Sequence, residues 1–89
     1  MKIWKQKLEI IDYQGVEFPA DAKILTAQIQ CGALCVWYTT SGDCDKMEIR
    51  KFRIAETGHD DNWGDYITTF QIDSGRLVYH LFEITWVIV

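Results

Sequence analysis

The stretch QIQCGALCVW, residues 28–37, decides how the fold is interpreted. Two runs of alternating polarity flank Cys31-Gly32, which is typical of a hairpin with a two-residue turn. In that register the apolar partners share one face: Ile29 with Leu34, Ala27 with Val36, and Leu25 with Tyr38. The other face carries Thr26, Gln28, Cys35, Trp37 and Thr39. Because a type I′ turn needs positive φ at both central residues, and cysteine adopts it less readily than asparagine, a loop of three or four residues is the alternative.

The two cysteines of this stretch raise the question of a metal clip or a redox pair. The hairpin places Cys31 at the turn tip and Cys35 opposite Gln28, well along the ladder. Structural zinc sites usually need a second Cys/His pair at short spacing, which Cys44 with either histidine does not supply. We therefore predict three free thiols, no metal site and no cofactor.

Most of the remaining chain also alternates with a period of two and is rich in β-branched and aromatic residues, which predicts strands. Clusters of turn-forming residues separate these segments at 40–45, 56–65 and 73–75. Between the first two clusters the apolar phase changes from Met47 and Ile49 to Phe52 and Ile54, which predicts a bulge or a bend between two layers. We predict a single all-β domain over residues 1–89, an antiparallel small sandwich or partly open barrel of about six to seven strands with little or no helix.

The C-terminal segment RLVYHLFEITWVIV, residues 76–89, has apolar residues at both odd- and even-numbered positions, and therefore on both faces of a strand. A central strand covered on both faces has this pattern. Its last residues, 84–89, form an apolar extension that would aggregate if it lay on an exposed edge. We predict that the extension packs in the core or pairs with a second copy of the chain, in a homodimer whose interface contains Ile84, Trp86 and Ile88.

Charge and length restrict the partners that the chain can bind. Its 89 residues include nine Lys and Arg against thirteen Asp and Glu, a net charge of −4. This balance disfavours direct binding of nucleic acid and suits a basic groove on a partner protein. The sequence has no apolar segment typical of a signal peptide or of a membrane helix, and its cysteine count is odd. We therefore expect a cytoplasmic protein with no membrane contact.

Candidate binding residues come from one loop and from the strands beside it. The loop ETGHDDNWGD, residues 56–65, does not match the spacing of a calcium loop, so a solvated turn is the alternative to a ligand-contacting loop. Aromatic and cationic side chains on the neighbouring strands suit a protein partner or an anionic ligand. The residues predicted to contact a partner or ligand are Trp37, Arg50, Arg53, Thr57, Gly58, His59, Asp60, Asp61 and Trp63.

The residue pattern does not indicate catalysis. Ser41 and Ser74 lie in turns, and the sequence has neither a G-x-S-x-G motif nor a Gly-rich phosphate loop. His80 lies among apolar residues, where a hydrogen-bonded core histidine is expected, although a pair with Cys35 is an alternative. We therefore expect that the protein is not an enzyme.

Short segments spread over most of the chain resemble a family of small phage and prophage proteins of unknown function. They are KIWK, EFPADAKIL, CVW, RIAETGH, YITTFQ and LVYHLFE, within residues 1–83. Two features depart from the family pattern: Cys31 stands where Asn-Gly would be typical of the turn, and residues 84–89 extend beyond the usual end. The resemblance supplies no catalytic residues and implies a phage-encoded accessory protein in the bacterial cytoplasm.

The resemblance and the acidic surface together lead to an expected function. We expect a counter-defence inhibitor that binds a host protein stoichiometrically, as anti-CRISPR proteins do. One alternative is an oligomeric sponge for a small nucleotide immune signal, with Trp37, Arg50, Arg53 and His59 around its pocket. A structural or virion-associated accessory protein is the other alternative.

Overall fold

The computed structural model describes residues 1–58 and 64–85 and folds them into seven strands. The strands are β1 (Lys2–Leu8), β2 (Tyr13–Pro19), β3 (Lys23–Gln30), β4 (Ala33–Thr40), β5 (Met47–Glu56), β6 (Asp65–Ile72) and β7 (Leu77–Ile84). They form a three-stranded sheet in the order β1-β4-β3 and a four-stranded sheet in the order β2-β5-β7-β6, both antiparallel. The described residues contain no helix, and the predicted small all-β sandwich is confirmed.

The hairpin between β3 and β4 has the predicted two-residue turn. Cys31 has a φ of 50° and Gly32 a φ of 79°, the pair of left-handed conformations that a type I′ turn requires. The register pairs Gln30 with Ala33, Ile29 with Leu34, and Ala27 with Val36. Because this turn matches the twist of the flanking strands, the hairpin tolerates a cysteine in a conformation that costs a non-glycine residue about 1 kcal/mol.

A bulge at Leu25 interrupts this register further along β3. Ile24 pairs with Tyr38 and Thr26 pairs with Trp37, so Leu25 is the extra residue. The predicted pairing of Leu25 with Tyr38 is therefore wrong, and the Leu25 side chain is 48% exposed. Ile24 packs against the core in its place, because the bulge reverses the parity of the residues that precede it.

The strand β5 keeps a single phase, and the bulge or bend predicted within it is wrong. Its register with β2 runs without interruption. Met47 and Ile49 lie on the face that points away from the core and are more than half exposed, while Phe52 and Ile54 are buried on the inner face. The change of apolar phase in the sequence therefore marks an exposed apolar surface.

A second bulge lies in β6, at Ile67. Tyr66 pairs with Phe82 and Thr68 pairs with Leu81, so Ile67 is the extra residue. Simple alternation would place Tyr66 on the same face as Thr68, but the bulge turns Tyr66 outward instead. This change of face brings Tyr66 into the candidate site described below.

The hydrophobic core fills the space between the two sheets. Its buried members are Leu8, Phe18, Ala27, Leu34, Val36, Phe52, Ile54, Phe70 and Leu81. The Phe18 ring packs edge-on against Tyr38, with centroids 5.0 Å apart, and lies 5.7 Å from the Phe52 ring. Since Tyr38 belongs to the three-stranded sheet and both phenylalanines to the four-stranded sheet, this cluster joins the layers.

Arg50 and Glu83 form a two-point ion pair on the inner side of the four-stranded sheet. The Arg50 Nε and Nη2 atoms donate to the Glu83 carboxylate at 2.5 and 2.7 Å, and Nη1 donates to the Ala22 carbonyl oxygen at 2.6 Å. The guanidinium also lies 5.7 Å from the centroid of the Phe18 ring. The two side chains are only 20% and 13% exposed, so the pair ties β5 and β7 to the connection between β2 and β3 from a largely dry position.

All four edge strands carry features that oppose pairing with another chain. The edge strand β1 contains three lysines, and β2 ends at Pro19. The other two edges, β3 and β6, contain the bulges at Leu25 and Ile67. Lysine, proline and bulges all disfavour edge-to-edge sheet extension, so the free surfaces of this fold are its two outward faces.

A carboxylate joins the connection after β2 to the end of β4. Asp21 accepts a hydrogen bond from the Thr40 hydroxyl at 2.6 Å and another from the Ser41 backbone N–H at 3.0 Å. The hydrogen bond from Thr40, followed by those from Ser41, lowers the pKa of Asp21 to about 2. The ionised form of this carboxylate is therefore favoured in the folded state.

We expect Asp21 to make the stability of the protein depend on pH below about 4. Because the folded-state pKa lies below the unfolded value of 3.8, its contribution is complete at higher pH and is lost as the pH falls toward about 2. Urea unfolding of wild-type protein and of Asp21→Asn between these limits should show the difference in stability shrinking on acidification. A Thr40→Val variant should lose the same pH dependence, whereas a difference that is constant with pH would contradict the assignment.

Candidate functional site

The outward face of the four-stranded sheet carries a row of large side chains that crosses all four strands. Tyr13 pairs with Arg53, Arg53 with Phe82, and Phe82 with Tyr66, so one residue of each strand stands in line. We call these four residues the aromatic row. Tyr13 is 55% exposed and Tyr66 is 59% exposed, although directly paired side chains normally cover much of each other's surface.

Specific contacts fix both ends of the aromatic row. The Arg53 Nε atom donates to the Tyr13 hydroxyl at 2.9 Å, and the guanidinium lies 5.2 Å from the centroid of the same ring. At the other end, the Tyr66 and Phe82 rings meet edge-to-face, with centroids 5.9 Å apart. The exposed rings are therefore already held in one arrangement, which reduces the entropy lost when a partner binds them.

A chain of hydroxyl groups surrounds His80 beside the aromatic row. The His80 Nε2 atom lies 2.9 Å from the Thr57 Oγ1, and Nδ1 lies 2.8 Å from the Thr69 Oγ1. The Tyr66 hydroxyl lies 2.7 Å from the same Thr69 oxygen. The predicted core location of His80 is wrong, since it lies half-buried on the outward face, but its predicted hydrogen bonding is confirmed.

The directions of these hydrogen bonds follow from counting donors. The Thr57 hydroxyl donates to the Val78 carbonyl oxygen at 3.2 Å, so it accepts from the His80 Nε2–H. In the neutral tautomer that carries this hydrogen, Nδ1 accepts from Thr69, which in turn accepts from Tyr66. Thr57 therefore does not give its proton to the histidine, as a nucleophile paired with a general base would. The network fixes the orientation of the ring, and Thr57 is not placed as an activated nucleophile.

A small depression adjoins the aromatic row. Beyond it, the exposed side chains of Met47 and Ile49 on β5 form an apolar margin. The depression has a volume of about 220 Å³, smaller than the ~300–1,000 Å³ of small-molecule pockets, and Tyr13, Lys51 and Ile84 line it. It exists because Gly15 has no side chain: a Cβ there would lie 2.9 Å from the Ile49 Cγ2. Ile49 is 58% exposed beside it, so the depression suits one apolar side chain of a partner.

The residues predicted to contact a ligand do not form one site. Trp37 lies on the outward face of the three-stranded sheet, on the opposite side of the sandwich from Arg53. Arg50 points inward into its pair with Glu83. One chain therefore does not bring Trp37, Arg50 and Arg53 together, and a pocket that these residues and His59 form at an oligomer interface stays a prediction. Cys35 also lies on the outward face of the three-stranded sheet, and so is not beside His80.

Part of the prediction does converge on the aromatic row. Arg53 belongs to the row, and Thr57 contacts His80 next to it, with Gly58 following in the chain. The other predicted loop residues, His59, Asp60, Asp61 and Trp63, lie outside the described residues. Of the predicted dimer interface, Ile84 ends β7 opposite Lys51, while Trp86 and Ile88 lie outside the described residues, so that interface stays a prediction.

Sequence reasoning missed Tyr13, Tyr66 and Phe82. Tyr13 joins the site only through the pairing of β2 with β5, and no local pattern specifies that pairing. Tyr66 joins it only because of the bulge at Ile67. Phe82 is two residues after His80 in the same strand, so the two side chains lie on the same face. This spacing was the one feature of the sequence that could have placed Phe82 at the site.

The described residues offer no group of three or more histidine, cysteine or acidic side chains placed to hold a metal ion. All three cysteines are free thiols; Cys31 is exposed at the turn and Cys35 is buried opposite Gln28, the position that the hairpin register predicts. Residues 1–58 and 64–85 also form no helix long and apolar enough to cross a membrane.

Comparison with known proteins gives one result. Neither the curated proteins nor the solved structures contain a match to this chain. A family model described as a domain of unknown function, DUF7352, matches residues 1–86, which is nearly the whole chain and includes every residue of the aromatic row. The chain therefore belongs to the DUF7352 family of domains of unknown function.

Proposed function

We propose that this protein is a non-enzymatic binding module that recognises a partner protein through the outward face of the four-stranded sheet. The observation that carries the proposal is the aromatic row, in which two tyrosines more than half exposed flank Arg53 and Phe82. Tyrosine and arginine are enriched among the residues that dominate binding energy at protein interfaces. The row, the apolar margin and the depression at Gly15 together make an anchor surface.

The preorganisation of this surface supports binding as its role. Arg53 is hydrogen-bonded to Tyr13, and Tyr66 belongs to the hydroxyl chain around His80, so the exposed rings are held before a partner arrives. An anchor that is already ordered loses less side-chain entropy on binding. Threonine hydroxyls hold the His80 ring at both of its nitrogens, which supports a positioning role for this histidine.

The resemblance to small phage and prophage proteins supports the choice of partner. On that basis the protein is a phage-encoded counter-defence inhibitor, and its partner is a protein of the bacterial host. All thirteen acidic residues and five of the nine basic residues lie outside the strands of the three-stranded sheet, a net charge of −8 for that part of the chain. The outward face itself carries Arg53 and Lys51, so this negative charge bears on the approach of a basic partner and not on the contacts of the aromatic row, and the complex should weaken as salt is raised.

The nucleotide-sponge alternative has less support. It needs a cationic and aromatic pocket, but Trp37, Arg50 and Arg53 lie on three different surfaces. Arg50 is also already occupied by the Glu83 carboxylate.

We expect Tyr66→Ala to weaken binding of the host partner by about thirtyfold, because removing a central tyrosine anchor costs about 2 kcal/mol. The tagged protein would be used to recover partners from host lysate at low salt. Titration calorimetry on the purified pair would then measure the affinities of wild type, Tyr13→Ala and Tyr66→Ala.

Ile3→Ala provides a matched control, since Ile3 is an exposed apolar residue on the other sheet. This variant should keep wild-type affinity. Circular dichroism would establish that every variant is folded before its affinity is compared. Failure to recover a partner, or equal retention of the partner by Tyr13→Ala/Tyr66→Ala and by Ile3→Ala, would contradict the proposal.

A further inference from the structure

The three-stranded sheet carries only positive charge. Its strands β1, β3 and β4 contain four lysines and not one of the thirteen acidic residues of the chain. The net charge of −4 therefore averages two regions of opposite sign. A ligand near this sheet experiences the local charge, because charges beyond about 10 Å are largely screened at physiological salt.

On the outward face of this sheet, exposed lysines on the two edge strands flank a central strand with buried side chains, an arrangement that we call the lysine trough. Its floor is the central strand β4, whose outward residues are Cys35, Trp37 and Thr39. Cys35 and Thr39 are buried, while the lysines rise from the two flanking strands and are exposed. Lys5, Lys7 and Lys23 pair with Trp37, Cys35 and Thr39 respectively.

The spacing of these lysines matches an extended peptide. Lys5 and Lys7 are two residues apart on β1, so their side chains leave the sheet about 7 Å apart. Alternate side chains of an extended acidic segment have the same spacing. Trp37 lies between Lys5 and Thr26 in the middle of the trough and offers an apolar contact to such a segment.

A hydrogen bond already holds one of the cations over the trough. The Lys5 Nζ atom donates to the Gln30 Oε1 at 2.7 Å, and this bond spans β4 from one edge strand to the other. The acceptor is a neutral amide at the surface. A carboxylate would be the stronger acceptor, because it adds the attraction of a negative charge to a hydrogen bond whose donor is already ionised.

The ends of the trough limit the length of what it can bind. Glu9 and Asp12 follow β1 at one end, and Asp21, Asp43 and Asp45 lie in the connections at the other end. The strands between them span about 25 Å. A nucleic acid running past either end would meet carboxylates, and so would a peptide that continued past Lys23, since Asp21 and Asp43 line the same depression as Lys23. A short acidic segment that ends at Lys23 avoids most of this repulsion.

We propose that the lysine trough binds a short, extended, acidic segment of a protein partner. Such a segment places carboxylates on Lys5 and Lys7 from one side and on Lys23 from the other. This site is independent of the aromatic row, which lies on the opposite side of the sandwich. The protein can therefore hold two partners, or two regions of one partner, at the same time.

The test uses a fluorescent peptide of about eight residues with glutamate at alternate positions, and its glutamine counterpart. Fluorescence anisotropy at low salt should show binding of the glutamate peptide only. Lys5→Gln/Lys7→Gln should weaken that binding by at least about tenfold. Lys46→Gln/Arg76→Gln makes the same change in net charge away from the trough and should leave the affinity within about twofold.

Any of the following results would overturn the proposal that the trough binds an acidic segment. Equal binding of the glutamine peptide, or equal loss in the two double variants, would show that the trough does not recognise carboxylates. Tighter binding of an oligothymidylate of about twelve nucleotides would make the face a nucleic-acid site instead. The Tyr66→Ala variant should keep wild-type affinity for the glutamate peptide, so this proposal and the proposed function can fail separately.

Discussion

Alanine at Gly64 is expected to destabilise the folded protein by at least about 3 kcal/mol. Gly64 has a φ of 153°, in a region that glycine adopts and other residues rarely do. An added Cβ would overlap the carbonyl oxygen of Glu83 and would lie 3.1 Å from the Cα of Ile84. Both neighbours are backbone atoms at the end of the central strand β7, so neither can move without disturbing the sheet.

Thermal unfolding provides the measurement. A loss of this size should lower the Tm of a domain of this length by about 15 °C. Gly58→Ala is the matched control, since Gly58 also has a positive φ, 96°, but a Cβ there would have no atom of the described residues within 4 Å. That variant should lose only about 1 kcal/mol from backbone strain. Equal losses in the two variants would show that the contact with Glu83 is unimportant.

The second large effect is expected from Arg50. Arg50→Ala should cost about 3 kcal/mol, because it leaves the Glu83 carboxylate and the Ala22 carbonyl oxygen without their donor in a mostly buried position. The partial exposure of both side chains places this value at the lower end of the range for buried ion pairs.

A double-mutant cycle separates the pair from its surroundings. Arg50→Met and Glu83→Gln should each destabilise the protein, but the double variant should lose clearly less than the sum, because neither charge is then left unpaired. Urea unfolding of the four proteins measures the coupling. Additive losses would mean that the ion pair contributes nothing of its own. The folded Arg50→Met variant should keep its partner affinity, in contrast to variants of the aromatic row.

The sequence predicts the parts of the fold that depend on neighbours in the chain. The turn at Cys31-Gly32 and the first pairs of its ladder follow from a glycine and from local alternation. The position of β7 between two other strands follows from its apolar side chains on both faces. Both features involve few residues, so one pattern is sufficient to specify them.

The bulges and the long-range pairings could not be predicted in this way. An extra residue at Leu25 or at Ile67 reverses the side-chain parity without leaving a mark in composition. The contact of Tyr13 with Arg53 depends on a pairing between segments forty residues apart. One error was avoidable, since Arg50 and Arg53 are three residues apart in a strand and therefore point to opposite faces.

Total charge says little about where charge lies, for a related reason. The prediction against nucleic acid rests on the net charge of −4, which is an average over the whole surface. The strand order gathers Lys5, Lys7 and Lys23 on one face, although they come from two separate segments of the chain. Only the fold reveals that segregation.

The protected edges determine how this protein can change over evolutionary time. Because bulges, lysines and a proline disfavour sheet extension at these edges, new associations form more readily through outward side chains than through the backbone of the edge strands. Those side chains point away from the core, so mutations among them alter specificity with little penalty to folding. Descendants of such a chain can acquire new targets by drift on one face while the other face and the scaffold stay the same.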